Sequence, residues 1–290
     1  MILITGASGN VGRAVLEEVQ KTGKPFRAMY RSQDDASKAP PNVSTVIADF
    51  ADMDSLKKAL AGVDSVYLVC SPIPDLVKLE SNVIDACLEA SVKHVVLNSA
   101  LGAEDYAKSF PAWHRQVENK LKSSGLAYTI LRPNGFMQNI AAYQAPSIRA
   151  QSAFYAAMGN APTSFIDVRD IAVVVAKALA SPTEHAGKTH ELNGPEAVTY
   201  AELADRISKV ANRKITYVDI PESAQQKSML DLGMPAWQVT ALLELQQYYT
   251  SGRGGQVTNV LPQLLDRQPR TLNKYLEEVK SEFSNQAAGA

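Results

Sequence analysis

The sequence predicts an α/β fold, in which a doubly wound parallel sheet is followed by a smaller, mainly helical C-terminal lobe. Short apolar runs alternate with helix-like patterns from residue 2 to residue 131. Three glycines, Gly6, Gly9 and Gly12, join the first apolar run to the first helix-like pattern. After Glu196 the pattern becomes helical. Strict strand–helix alternation favours parallel strands with right-handed crossovers and helices on both faces of the sheet.

Hydrophobic periodicity defines the elements of the first half. Short apolar runs predict strands at 2–4, 26–30, 45–48, 66–69, 94–97 and 128–131. Apolar residues at helical spacing predict helices at 11–19, 55–60, 76–90 and 113–122.

The alternation stops after Pro133. Residues 134–162 look irregular, with aromatic side chains among small residues. A capping box is predicted at Thr199, because Glu202 follows it three residues later. The last residues, 284–290, are expected to be a frayed tail. Other elements predicted beyond residue 162 are strands at 164–168 and 190–192 and helices at 171–179, 200–210, 236–249 and 271–282.

The first turn has the strand–turn–helix context of a dinucleotide-binding fingerprint. Gly6 permits the tight turn, Gly9 lets the backbone approach a pyrophosphate, and Gly12 lets the helix pack close to the strand. Unpaired N–H groups and the helix dipole then hold the phosphates. A glycine-rich turn without a ligand is the alternative. The cofactor-binding residues expected here are Gly6, Ser8, Gly9, Asn10, Val11, Gly12 and Arg13.

These patterns predict two domains. Residues 1–133 plus about 163–193 are expected to form the dinucleotide-binding Rossmann domain. Residues 134–162 plus 194–290 are expected to form the smaller lobe, which covers the substrate.

The residue after the second strand favours NADP(H), with NAD(H) possible. An NAD-selective site usually has an acid there, whereas this chain has Arg31. A guanidinium matches a phosphate bidentately, and Arg13 adds a second positive contact. Arg31 as a solvated loop charge is the alternative, and Asp34 and Asp35 would weaken a phosphate site if they fold back.

Composition limits the partners. The 290 residues are 46% hydrophobic and 20% charged, and the formal net charge is −1, so no attraction to nucleic acid or anionic lipid is expected. No apolar stretch approaches the roughly 20 residues of a membrane span. Because the chain enters its first strand at once, no cleavable signal peptide is expected. Only Cys70 and Cys87 are present, which favours a reduced, cytoplasmic location. The oligomeric state is not indicated.

Six motifs are spread over nearly the whole length of the chain. They are 5–12 (TGASGNVG), 98–100 (NSA), 113–118 (WHRQVE), 124–136 (SGLAYTILRPNGF), 164–172 (SFIDVRDIA) and 190–199 (HELNGPEAVT). In these motifs the chain resembles the NmrA-like atypical short-chain dehydrogenase/reductase family, which implies likeness to bacterial NAD(P)H:quinone reductases and triphenylmethane reductases. The family also contains redox-sensing regulators that bind the dinucleotide without turnover.

The resemblance also implies site residues. Ser99 stands where typical members carry a catalytic serine. The Tyr-x-x-x-Lys pair of typical members is missing, because Phe110 and His114 occupy its positions. Alcohol dehydrogenation and sugar epimerisation by the usual mechanism are therefore disfavoured. Further cofactor contacts are implied for Asp49 and Phe50 (adenine), Cys70 and Ser71 (ribose), Asn98, and Pro133 and Phe136 (nicotinamide).

His114 and Ser99 are the candidate catalytic residues. His114 and Glu118 share a helix face, so the carboxylate is expected to orient an imidazole that titrates near neutrality and donates a proton or a hydrogen bond. A packed helix histidine and a strand-end hydroxyl bonded to backbone are the alternatives. Spacing of His and Cys supports no metal site.

The sequence leads to an NAD(P)H-dependent oxidoreductase that transfers hydride to a small apolar acceptor such as a quinone or a dye. A non-catalytic, NAD(P)-binding redox sensor of the NmrA type is the alternative hypothesis.

Overall fold

The computed structural model describes residues 1–106 and 108–284. They form two compact units, Met1–Pro133 with Val168–Leu192, and Asn134–Asp167 with Asn193–Ala290. Segment 163–167 thus belongs to the second unit, although the sequence grouped it with the first. Most of the predicted frayed tail, 285–290, lies outside the described residues.

Labels run in chain order through both units. The strands are β1 (Ile2–Ile4), β2 (Phe26–Tyr30), β3 (Ser44–Ile47), β4 (Ser65–Leu68), β5 (His94–Asn98), β6 (Ala127–Pro133), β7 (Ala153–Ala156), β8 (Lys188–Leu192) and β9 (Thr216–Asp219). The helices are α1 (Asn10–Lys21), α2 (Gln33–Ser37), α3 (Met53–Leu60), α4 (Leu76–Glu89), α5 (Ser109–Ser123), α6 (Gln138–Gln151), α7 (Val168–Ala180), α8 (Pro182–His185), α9 (Tyr200–Ala211), α10 (Glu222–Asp231), α11 (Ala236–Thr250), α12 (Val260–Leu265) and α13 (Leu272–Glu278). Short 3-10 helices follow at Arg253–Gly255 and Lys280–Phe283.

The first unit is a parallel sheet in the order β3-β2-β1-β4-β5-β6-β8. Ile4 of β1 pairs with Ala28 on one side and with Tyr67 on the other. The order of the strands reverses at β1 and β4, which makes their carboxyl ends the switch point where doubly wound sheets bind ligands. The predicted doubly wound parallel sheet is confirmed.

Helices pack in two groups against this sheet. α1 packs against α7, while α4 packs against both α3 and α5. Leu3, Val66 and Leu97 from the strands join Leu56 and Ile84 in a fully buried apolar cluster. Burial of this kind stabilises a fold by about 25 cal/mol per Å² of apolar surface.

The second unit contains the main departures from the predicted elements. Residues 134–162 were expected to be irregular, but they contain α6 and β7. The expectation was wrong because α6 lacks the usual sequence signs of a helix. Pro146 lies inside α6, and the buried residues of α6 do not form a continuous apolar stripe. β7 pairs in parallel with β9, far away in the sequence. The strand expected at 164–168 is also wrong, since Ile166 forms only an isolated bridge with Phe136.

The capping box predicted for α9 is present, with Thr199 and Glu202 bonding each other's backbone N–H. The core of this unit surrounds Phe154, Ile207 and Leu276. Across both described ranges, 1–106 and 108–284, no helix has the length and apolar character needed to cross a membrane.

One buried residue of the first unit stands out. Glu80 of α4 is fully buried, and neither of its carboxyl oxygens has a hydrogen-bond partner. The backbone N–H of Cys70 approaches this carboxyl without completing a hydrogen bond. Burial raises the pKa of Glu80 well above its usual value, so the folded chain keeps the Glu80 proton to higher pH than the unfolded chain does.

A raised folded-state pKa has a defined consequence for stability. Above pH 4.5 the unfolded chain loses the Glu80 proton while the folded chain keeps it, so the free energy of unfolding falls as pH rises. Glu80→Gln has the same shape and does not ionise. We expect this variant to match the wild type at pH 4.5 and to exceed its free energy of unfolding at pH 8, measured by urea denaturation.

Glu89→Gln is the matched control, since Glu89 lies at the exposed end of the same helix and pairs with Lys57. Glu89→Gln should leave the slope of the free energy of unfolding against pH as it is in the wild type. Equal slopes for Glu80→Gln and the wild type would contradict a protonated Glu80.

Candidate functional site

The turn after β1 depends on residues without side chains. Gly6 has a φ of +59°, a left-handed conformation that favours glycine. A Cβ atom on Gly12 would lie 2.0 Å from the carbonyl oxygen of Gly6. The helix can therefore approach the turn only with glycine at position 12. β1 itself is buried at all its positions and fixes where the turn begins.

The start of α1 has no side-chain cap. Gly9 is the N-cap residue, and the first turn of the helix contains no acidic residue. The first N–H groups of a helix have no partner within it, so those of Asn10, Val11 and Gly12 are available to an anion. Ser8 and Arg13 flank this start and are exposed. The turn thus offers backbone donors and a positive dipole end in one place.

A cavity of about 250 Å³ lies beside this turn. It brings together residues that follow β1, β2, β3 and β4, although they are far apart in the sequence. Seven predicted cofactor-binding residues line it: Gly6, Ser8, Arg31, Asp49, Phe50, Cys70 and Ser71. Its other lining residues were not among the predicted cofactor contacts, although Asp35 was considered as an acid near the phosphate site: Met29, Tyr30, Asp35, Ala48, Val69, Ile73 and Leu79.

A second cavity of about 430 Å³ shares Ser8, Tyr30 and Asp35 with the first and includes Arg13 and Lys38. The two acids after Arg31 behave differently here. Asp34 turns to Lys38, with 2.7 Å between carboxylate and ammonium. Asp35 accepts a hydrogen bond of 2.8 Å from the Ser32 hydroxyl and lines both cavities. Of the two acids that the sequence analysis considered as able to fold back towards the phosphate site, Asp35 lines the cavities and Asp34 does not.

Cys70 and Asn98 are held in neutral environments. Burial raises the pKa of the Cys70 thiol to about 12, so it is not a thiolate at neutral pH. The Asn98 side-chain oxygen accepts a hydrogen bond of 3.1 Å from the Tyr67 hydroxyl. Pro133 is buried at the end of β6, and its carbonyl accepts a hydrogen bond from the N–H of Leu101.

Ser99 belongs to a buried ionic network. Its hydroxyl donates to Glu118 Oε1 over 2.6 Å. Arg132 donates to both oxygens of the same carboxylate, at 2.9 and 2.7 Å. Burial alone would raise the pKa of Glu118, but the hydrogen bonds from Arg132 and Ser99 outweigh burial and lower it. Arg132 also pairs with Glu104 in the loop after β5, and Lys122 reaches Glu118 from the helix surface.

His114 differs from its predicted state in two respects. The imidazole is only 6% exposed, and burial lowers its pKa to about 4, with a smaller opposing effect of Glu118. The expectation of titration near neutrality was therefore wrong. Glu118 was expected to orient the ring, but its oxygens bond Ser99, Arg132 and Lys122, and His114 Nδ1 has no partner. The reason is that Arg132 of β6, whose partner the sequence did not indicate, donates to this carboxylate of α5.

The second unit has a cavity of its own, of about 240 Å³. Phe136, which the sequence assigned to the nicotinamide, lines this cavity. Its walls are aromatic rings (Phe136, Tyr143, Phe165, Tyr200, Tyr249), neutral amides (Asn139, Gln144, Gln225, Gln246) and aliphatic or thioether side chains (Ile140, Met158, Leu203, Met229, Leu242, Leu245). Gly135 and Thr163 complete it.

The part of the chain that the structure describes contains no group of three His, Cys, Asp or Glu residues that could hold a metal ion. His94 bonds Thr129 over 2.9 Å, in keeping with a packed histidine.

A glycine turn at the switch point of a doubly wound sheet defines the dinucleotide-binding class of Rossmann folds. Residues 1–276 match the model of the NmrA-like family, so the chain belongs to that family. The family recognised from sequence motifs is confirmed.

Three relatives illustrate the range of similar proteins. An NAD(P)H azoreductase of Xenophilus azovorans is 33% identical over 288 residues, which cover 98% of this chain and 99% of that protein. The Escherichia coli quinone oxidoreductase QOR2 complexed with NADPH has a TM-score of 0.88 and 27% identity, and the match covers 96% of this chain and 99% of that one. A triphenylmethane reductase of Citrobacter sp. complexed with NADP(H) shares the fold, with a TM-score of 0.85, 22% identity and coverage of 96% and 99%.

The buried network predicts unequal effects of its members on stability. Arg132→Met leaves the Glu118 carboxylate buried without its counter-ion and should lower the free energy of unfolding by about 3–5 kcal/mol. Ser99→Ala removes one hydrogen bond and should cost about 1–2 kcal/mol. Chemical denaturation measures both changes.

Lys122→Met is the control, because Lys122 contacts Glu118 from a partly exposed position. It should cost less than about 1 kcal/mol. If Arg132→Met is no more harmful than Lys122→Met, the network does not stabilise the fold as described.

Proposed function

We propose that the protein is an NAD(P)H-dependent reductase that transfers hydride to a small apolar acceptor such as a quinone or an azo dye. The observation that carries this proposal is the cavity beside the glycine turn, where seven predicted cofactor-binding residues meet. The assignment to the oxidoreductases rests on relatives with 30–33% identity over 81–98% of this chain, an azoreductase and a quinone oxidoreductase.

The residues present fit a dinucleotide. The uncapped start of α1 offers N–H donors to the diphosphate, and glycine at position 12, where a Cβ atom would collide with the Gly6 carbonyl oxygen, lets this helix start lie close to the turn. Asp49 and Phe50 on one side of the cavity, and Cys70 and Ser71 on another, would contact the adenosine half.

Arg13 and Arg31 favour NADP(H) over NAD(H). Arg13 lines the cavity of about 430 Å³, and Arg31 lines the adjoining cavity beside the glycine turn. A guanidinium gains most from a doubly charged 2′-phosphate and little from a ribose hydroxyl. Asp35 opposes this preference, because its carboxylate lines the same walls.

The bound dinucleotide supplies the hydride. Reduction of a quinone consumes one hydride and one proton per hydroquinone formed. His114 is neutral at pH 7 and its pKa is too low to supply that proton, so solvent does. We propose that His114 and Ser99 shape the reaction site and exclude water from it. We assign the second unit's cavity to the acceptor, since its walls are apolar and aromatic.

Turnover tests the proposal directly. Purified protein should oxidise NADPH in the presence of naphthoquinone or an azo dye, one NADPH per quinone reduced, because the first unit offers a dinucleotide site and the second unit an apolar cavity. Absorbance of NADPH under anaerobic conditions measures the rate. NADPH binding without turnover across a panel of quinones and dyes would contradict the reductase and support the non-catalytic sensor.

Cofactor preference should respond to single charges. Arg31→Ala removes a charge-assisted contact of about 1.5–3 kcal/mol, so the Kd for NADPH should rise about tenfold to a hundredfold while the Kd for NADH changes little. Asp35→Asn should tighten NADPH binding severalfold. Calorimetric titration with each nucleotide measures these constants.

Asp205→Asn provides the control, because Asp205 is an exposed acid of the second unit. It should alter neither constant. Equal weakening of NADPH and NADH by Arg31→Ala would show that Arg31 does not contact a 2′-phosphate.

A further inference from the structure

The cavity of the second unit is lined by uncharged residues. Five aromatic side chains and four neutral amides are among its lining residues. Among the described lining residues none is Asp, Glu, Lys, Arg or His. Its volume, about 240 Å³, is slightly below the range of about 300–1,000 Å³ that ligand pockets usually have. The cavity therefore suits a small acceptor with large apolar surface.

The polar groups on its walls are also neutral. Burial raises the pKa of Tyr200 to about 12 and raises that of Tyr249 as well, so both phenols keep their protons. The Gln225 side-chain oxygen accepts a hydrogen bond of 2.7 Å from the N–H of Ala157, which leaves its amide nitrogen to donate. Such groups donate hydrogen bonds to a carbonyl or azo acceptor atom.

An anionic group on a ligand would be destabilised in this cavity. A sulfonate or carboxylate loses its hydration on entering, and no cation among the described lining residues compensates for that loss.

We propose that this cavity selects uncharged aromatic acceptors and rejects anionic ones, and that its uncharged wall, including Gln144 and Gln246, determines this specificity. The inference rests on the proposed reductase function and names the substrate class of the acceptor site. Each reduction still consumes one hydride from NADPH and one proton from solvent.

A matched pair of substrates tests the proposal. Naphthoquinone and its ring-sulfonated derivative differ by one negative charge, and the electron-withdrawing sulfonate makes the anionic compound intrinsically easier to reduce. We expect kcat/KM for the neutral quinone to exceed that for the sulfonate by about tenfold or more, because the charge must be desolvated without a partner.

Charge variants locate the selectivity. Gln246→Lys and Gln144→Lys each place a cation on the wall of the cavity. Each variant should lower the ratio of kcat/KM for the neutral quinone to kcat/KM for the sulfonate about fivefold or more. Gln247→Lys adds the same charge at the next position of α11, which is exposed and does not line the cavity. It should keep the wild-type ratio. Melting temperature and NADPH affinity confirm that each variant is folded.

The outcomes separate the two proposals. Equal kcat/KM values for both quinones in the wild type, or equal shifts in Gln247→Lys and Gln246→Lys, would overturn the charge selectivity and leave the reductase intact. Absence of reduction of either quinone, with NADPH binding preserved, would overturn both.

Discussion

The uncapped start of α1 against the glycine turn is the constraint on which the account depends. Gly12 has no room for a Cβ atom beside Gly6, so the helix begins within contact distance of the strand end. Its free N–H groups then stand at the switch point between β1 and β4. The residues after β2, β3 and β4 meet at the same edge of the sheet, since parallel strands end on one side.

The groups around this edge are mostly neutral or internally paired. The Cys70 thiol and the His114 imidazole are uncharged at pH 7 because both are buried. Ser99 donates to Glu118, whose charge is balanced by Arg132. In the proposed reductase these residues position the ligands and exclude water, while the cofactor carries the redox chemistry. The absence of a Tyr–Lys proton relay agrees with acceptors that take their proton from solvent.

Local patterns predicted much of this arrangement. β1, α1 and the glycine turn follow from adjacent residues, and the doubly wound parallel sheet follows from strand–helix alternation and crossover handedness. Seven residues predicted to bind the cofactor, from the glycine motif, from the position after β2 or from the family resemblance, line one cavity. The protonation of His114 and Glu80 was beyond sequence reasoning, because a pKa depends on burial that only tertiary structure determines. The bond from Arg132 to Glu118 joins β6 to α5 and leaves no local signal. α6 was not predicted because it contains Pro146, and β7 was not predicted because its partner strand, β9, is far away in the sequence.

Calorimetric titration of Gly9→Asp with NADPH tests the central claim most directly. Gly9 has the extended conformation of an N-cap (φ −81°, ψ 169°), so aspartate there would cap α1 and occupy its N–H groups with a carboxylate. The account predicts a protein that is folded, with a melting temperature close to that of the wild type, and that no longer binds NADPH. Binding of NADPH at wild-type affinity by this variant would contradict it.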